Sequence, residues 1–133
     1  MKTLINSLLA PALLALVACT SAPTITPEQI SATDVGPVPG DAEHAKIAAA
    51  LDLLLKDPRS AEFKWGTPHK DALRTSGRID AGWEIPVMIN AKNGMGGYTG
   101  FKQWSFFLIN GRIASYQDPR MAKLDLWTSV KQP

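Results

Sequence analysis

Few residues in this chain can do chemistry, and most of them stand apart in the sequence. The 133 residues include one cysteine, Cys19, and two histidines, His44 and His69. A thiolate can be a nucleophile or a metal ligand, but a single thiol forms no internal disulfide. Neither histidine has Asp, Glu or Cys at the spacing of a zinc or calcium site, so no metal and no cofactor is expected and both are read as surface residues. A serine nucleophile needs a histidine and a carboxylate brought to it, and no serine here stands in a nucleophile elbow. Asp80 and Glu84 could be the paired carboxylates of a hydrolase acting on glycans or peptides, with His69 beside them. The simpler reading puts both on the polar side of a strand. No catalytic residue is assigned, and the chain is read as a non-enzyme.

The glycine-rich run Asn93 to Gly100 invites a phosphate-loop reading and fails on spacing. A dinucleotide fingerprint starting at Gly94 and Gly96 needs glycine at 99, where threonine stands. A P-loop needs Gly-Lys-Ser/Thr entering a helix, whereas Gly100-Phe101-Lys102 enters a strand. A hairpin loop with positive φ at several glycines accounts for the run. Such a loop can still present a surface. Lys92, Asn93, Tyr98, Lys102 and Trp104 would gather amide, phenol, ammonium and indole groups suited to a glycan, a peptide or a protein. In the alternative, Trp104, Phe106 and Leu108 form a core stripe and the lysines are simply solvated.

Cys19 has a more specific context. Lys2 gives a positive start, Leu8 to Val17 is apolar apart from Pro11, and Leu16-Val17-Ala18-Cys19 follows. That layout is a secretory signal, too short and too broken for a membrane span. The order aliphatic, aliphatic, small, Cys resembles the lipobox of bacterial lipoprotein signals. The resemblance implies cleavage after Ala18, a diacylglycerol thioether on Cys19 and a membrane anchor through lipid. Two or more acyl chains hold a protein stably at a bilayer. Thr20, in place of Asp, resembles an outer-membrane address, with the protein facing the periplasm.

The expected organisation is a signal at 1–18, a lipidated N-terminus and flexible proline-rich tether at 19–40, and one globular domain at 41–133. The tether reading rests on Pro23, Pro27, Pro37 and Pro39 and the absence of an apolar period, with a structured proline-rich arm as the alternative. Fourteen basic and 12 acidic residues nearly cancel, and no basic run suggests nucleic acid.

The elements that must position these side chains follow from periodicity. Ile47, Leu51, Leu54 and Leu55 recur at helical spacing, giving an amphipathic helix over 41–56 with Asp41 as cap and Pro58 beyond its end. Asp57 would cap a short turn at Pro58. Phe63 and Trp65 alternate with polar residues as a strand does, and a further strand is expected around Leu73 or Ile79. Trp83, Ile85, Val87 and Ile89 point one way along a strand that Pro86 would confine to an edge or bulge. Phe101 to Ile109 is a long strand, and Asn110-Gly111 turns the chain back on itself. Asp118-Pro119 could cap a short C-terminal helix carrying Met121, Leu124 and Trp127, with a loosely packed tail as the alternative. The fold class is α+β: an N-terminal amphipathic helix on a small twisted antiparallel sheet of three to five strands.

Two blocks carry a family resemblance: Leu55-Lys56-Asp57-Pro58-Arg59-Ser60-Ala61-Glu62-Phe63, and Asn90-Ala91-Lys92-Asn93-Gly94-Met95-Gly96-Gly97-Tyr98-Thr99-Gly100-Phe101. Over roughly residues 45–115 the chain resembles small bacterial and prophage-encoded lipoproteins that pair a DPxSAxF segment with an NAKNxxGGYxGF segment. Some members carry Cys and Gly shortly before the asparagine, where Ile85-Pro86-Val87-Met88 stands here. The resemblance implies a domain type and an envelope setting, with no mechanism. The expectation is a lipid-anchored, non-catalytic binding or accessory module for an envelope protein or glycan, with an envelope hydrolase or a purely structural lipoprotein as alternatives.

Overall fold

The computed structural model describes residues 24–75, 77–124 and 127–129. The signal segment, Cys19 and its lipobox lie outside these residues. In order, the elements are α1 (Pro27–Ala32), α2 (Asp41–Leu54), a 3-10 turn (Pro58–Ser60), β1 (Glu62–Trp65), β2 (His69–Thr75), β3 (Arg78–Asn90), β4 (Lys102–Ile109), β5 (Arg112–Gln117), α3 (Pro119–Ala122) and β6 (Thr128–Ser129). Among the described residues no helix is long and apolar enough to cross a membrane.

The fold is α+β, built on one antiparallel sheet. Five strands of four residues or more carry it, and two-residue β6 pairs at the far edge. The order is β1-β3-β4-β5-β6, and β2 also pairs with β3. Leu73 and Ile79 thus lie in the two arms of one hairpin, β2–β3. The expected reversal at Asn110-Gly111 has both residues at positive φ, 50° and 70°, the backbone that a two-residue hairpin turn requires.

Period-2 alternation sends Ile85, Val87 and Ile89 of β3 and Phe106 and Leu108 of β4 to one face, where Ile47 and Leu51 of α2 meet them. All seven are nearly or fully buried. Each such side chain contributes about 1.5–3 kcal/mol by leaving water. Phe63, Trp65, Trp83, Trp104, Ile113 and Tyr116 extend this layer at partial burial.

Several expectations are corrected. Strand β3 is internal, not an edge. Pro86 sits where β1 stops pairing with β3 and β2 starts, and its carbonyl accepts from the Gly66 N–H at 2.8 Å. In extended backbone the N and O of one residue point the same way, so the donor that proline lacks would face this junction, not β4. Helix α2 is capped at Gly40, with Glu43 Oε2 accepting from the Gly40 N–H, and Asp41 lies inside it. It ends at Leu54, short of Leu55-Lys56. Asp57 makes no side-chain cap; Ser60 Oγ instead donates to the Asp57 carbonyl. Helix α3 is a single turn ending at Ala122, so Leu124 and Trp127 lie beyond it.

The largest correction concerns the tether. Its distal half carries α1, held by a capping box between Thr26 and Gln29 with Pro27 at the first position. Beyond α1 the chain follows the sheet. Lys70 Nζ donates to the Ser31 and Thr33 carbonyls at 3.0 and 2.8 Å, and Trp83 Nε1 donates to the Gly36 carbonyl. Val35 is buried. The packed domain therefore begins near Thr26 rather than Asp41, and α2 is its second helix.

Candidate functional site

The site forms where three elements end together. Helix α2 stops at Leu54 because Leu55 turns to extended backbone, leaving Lys56 at the rim. Strand β4 starts beside it with Lys102, opposite Ile89, and Trp104, opposite Val87. Strand β5 runs out past Tyr116, and Asp118 then starts α3. Between them lies a cleft of about 430 Å³ with Ile89, Trp104 and Tyr116 in its lining and Lys56, Lys92, Lys102, Asp118 and Arg120 around it. The aromatic wall is continuous: Trp104 stacks on Tyr116 at 6.1 Å and on Phe106 at 6.4 Å between ring centroids.

The charges are unequal. Asp118 is the one carboxylate in this lining, and it is already committed. Its Oδ1 accepts from the Arg120 and Met121 amides at 2.7 and 2.9 Å, and its Oδ2 faces Arg120 Nη2 at 3.2 Å. Burial pushes the Asp118 carboxyl up, but the Met121 and Arg120 amides and the Arg120 guanidinium together outweigh it and hold the group below the usual carboxylate range. Among the described residues, Lys56, Lys92 and Lys102 have no carboxylate within ion-pair distance.

Of the five residues expected to form a surface, Lys92, Asn93, Lys102 and Trp104 line this cleft. Tyr98 stands behind it: its hydroxyl donates to the Ser60 carbonyl at 3.3 Å, and the Lys92 ammonium lies 5.4 Å from its ring centre. Asn93 organises the loop, since its Oδ1 accepts from the Met95 and Gly97 amides. Positive φ is used at Gly96 and Gly100, and a Lys92–Tyr98 bridge closes the loop. Sequence reasoning missed Lys56, Tyr116 and Arg120. No local spacing could have found them, because the fold alone brings the ends of α2 and β5 to the start of β4.

His69 is exposed as expected, whereas His44 is not a simple surface residue. His44, half-buried on α2, stacks on Trp65 at 4.1 Å with the rings 8° from parallel. His69 lies on β2 opposite Glu84, with Nε2 3.6 Å from Glu84 Oε2. Asp71 joins them, and the three ligand atoms lie within 4.8 Å of one another. Sequence spacing did not show this grouping, because residues too far apart in sequence become neighbours across a hairpin. The register was the available signal, because Thr75 faces Arg78 and counting back puts His69 opposite Glu84. Asp80 does not join them; it is held by Arg78 at 2.7 Å. This cluster occupies the sheet face opposite the cleft, since Glu84 alternates with Trp83 and Ile85.

No protein-family model matches this chain, and no curated protein or solved structure matches it either.

Proposed function

We propose that this is a lipid-anchored envelope protein, tethered through Cys19 at the periplasmic face of the outer membrane, whose domain binds an anionic envelope glycan in the cleft without catalysis. The signal layout ending in Leu16-Val17-Ala18-Cys19 supports the anchor, and the resemblance of the two sequence blocks to segments of small bacterial lipoproteins supports the setting. The binding reading is carried by one observation. In a chain of net charge +2, three lysines without a carboxylate partner, Lys56, Lys92 and Lys102, converge on one cleft whose single lining carboxylate, Asp118, is paired with Arg120. Gathering like charges costs Coulomb energy that an anionic ligand returns. An apolar aromatic wall beside polar, charged groups is the usual make-up of a ligand site, and Trp104 and Tyr116 bring aromatic surface to this lining.

The test uses soluble fragments of purified cell-wall sacculi, whose carboxylates supply the anion. The mature protein should bind them in a salt-sensitive manner. The charge-reversed pair Lys92→Glu and Lys102→Glu should weaken binding at least about tenfold with an unchanged circular dichroism spectrum, since close charge pairs at interfaces carry energies of that order. Equal binding by wild type and the folded double variant would remove the cleft from the reading. Crosslinking in cells separates a glycan from a protein partner: reproducible capture of one protein, with no sacculus binding, would replace the glycan.

A further inference from the structure

The face of the sheet turned away from the cleft holds a second constellation. His69 and Asp71 sit two apart on β2, so they share a face, and Glu84 stands directly opposite His69 on β3. Their ligand atoms all fall within 4.8 Å of one another. Donor atoms about 2.1 Å from a tetrahedral zinc ion lie about 3.4 Å apart; His69 Nε2 and Glu84 Oε2 are 3.6 Å apart.

The surroundings fit an ion better than a chance meeting of side chains. His69 Nδ1 lies 3.5 Å from the Thr67 carbonyl oxygen, which can only accept. Its Nε2 faces the Glu84 carboxylate, which is also an acceptor when ionised. The imidazole thus stands with one nitrogen towards a backbone carbonyl and the other towards a carboxylate. A metal-bound histidine shows the same arrangement, with its remote N–H on a backbone carbonyl. The Asp71 and Glu84 carboxylates lie within 4.8 Å of each other, and among the described residues no Lys or Arg lies within ion-pair distance of either. Lys70, between His69 and Asp71 in sequence, is spent on the Ser31 and Thr33 carbonyls. Ser105 of β4, paired with Pro86, is buried on this same face of the sheet. The His69 side chain is 54% exposed and that of Glu84 only 15%, so the cluster opens to solvent on one side and is anchored on the other.

We propose that His69, Asp71 and Glu84 form a binding site for one divalent transition-metal ion, with three protein ligands and at least one coordination position open to solvent. One imidazole nitrogen and two carboxylates suit Zn²⁺ or Mn²⁺ and disfavour soft Cu(I). Both ligand-bearing strands belong to one hairpin, so the ion would also clamp β2 to β3.

The test is calorimetric titration of chelator-treated mature protein with ZnCl₂ and MnCl₂, with visible absorption of the Co²⁺ complex as a second readout. One ion per chain is expected, with a Co²⁺ spectrum showing nitrogen and oxygen ligands and no thiolate. His69→Gln, Asp71→Asn and Glu84→Gln should each weaken binding more than about tenfold. Asp80→Asn, on the same hairpin but held by Arg78, should bind as wild type does. Where one ligand variant unfolds, the ligand variants that fold decide. Folded wild-type protein that takes up none of the three ions at 100-fold excess overturns the site. So does binding that survives all of the folded variants. Failure of the glycan experiment leaves this result intact, because the two sites share no residue.

Discussion

The ring of Phe107 on β4 lies against the backbone of Gly82 on β3. A Cβ placed on Gly82 would stand 2.8 Å from Phe107 Cε1 and would collide with the Leu108 carbonyl oxygen. Phe107 is 1% exposed, and its outer edge meets Trp127 at 6.0 Å between ring centres. The ring has no room to retreat, and the strand cannot move without losing the β3–β4 ladder.

Gly82→Ala should therefore destabilise the domain by about 1–3 kcal/mol, the usual cost of forcing one extra carbon into a packed layer. The midpoint of urea unfolding would fall with an unchanged slope. Gly82→Val should cost more. A loss below about 0.5 kcal/mol for alanine would mean that β3 and β4 separate more readily than this contact implies.

How legible this was in the sequence differs from element to element. The strand carrying Ile85, Val87 and Ile89 and the Asn110-Gly111 reversal could be read because each depends on neighbours within a few residues. Pro86 misled for the opposite reason. A proline is excluded from a ladder only where its N–H is needed, and the exchange of β1 for β2 along one side of β3 is a tertiary fact. The proline-rich arm misled in the same way: α1 is short, and what holds it are Lys70 and Trp83, about forty residues away. At the site, Lys92, Lys102 and Trp104 could be grouped by nearness to one loop, whereas Lys56, Tyr116 and Arg120 come from elements that only the sheet order brings there.

Asp118 predicts an acid-dependent loss of stability. Its folded pKa lies below the unfolded value of about 3.9. The ionised carboxylate therefore stabilises the fold fully above that unfolded value, and the contribution disappears as pH falls through the folded pKa. Asp118→Asn keeps a side-chain oxygen for the Arg120 and Met121 amides but removes the charge. Its stability deficit relative to wild type should shrink as the pH is lowered from 6 towards 2. Asp118→Ala should cost about 1 kcal/mol at pH 7, as loss of a helix cap does. A pH-independent Asn deficit would show that the carboxylate gains nothing from its charge.

Asn93→Ala should loosen the loop without unfolding the domain. The lost acceptor serves the Met95 and Gly97 amides, each bond contributing about 0.5–1.5 kcal/mol to local order. Both groups are at an exposed turn, so water replaces the missing oxygen and the sheet is untouched. Hydrogen exchange at Met95 and Gly97 should quicken several-fold, while exchange at Phe106 and Ile85 should stay as in wild type. Global destabilisation above about 1.5 kcal/mol would mean that the loop supports the sheet.

The docked position of α1 sharpens what lipidation at Cys19 would do. If the chain were free from Cys19 to Gly40, the domain could stand far from the bilayer. With α1 starting at Pro27 and the Ser31 and Thr33 carbonyls held by Lys70, only residues 20–26 lie between lipid and domain. At no more than about 3.6 Å per residue, that segment spans at most about 25 Å. Neutron reflectometry of the lipidated protein on a supported bilayer should find the domain within that distance of the headgroups. Lys70→Ala, which frees the two carbonyls, should allow a broader and more distant layer. Cys19→Ala should lose fatty-acid labelling and accumulate the uncleaved precursor. Normal processing of that variant would mean an ordinary signal peptide, and the distance limit would then have no anchor to be measured from.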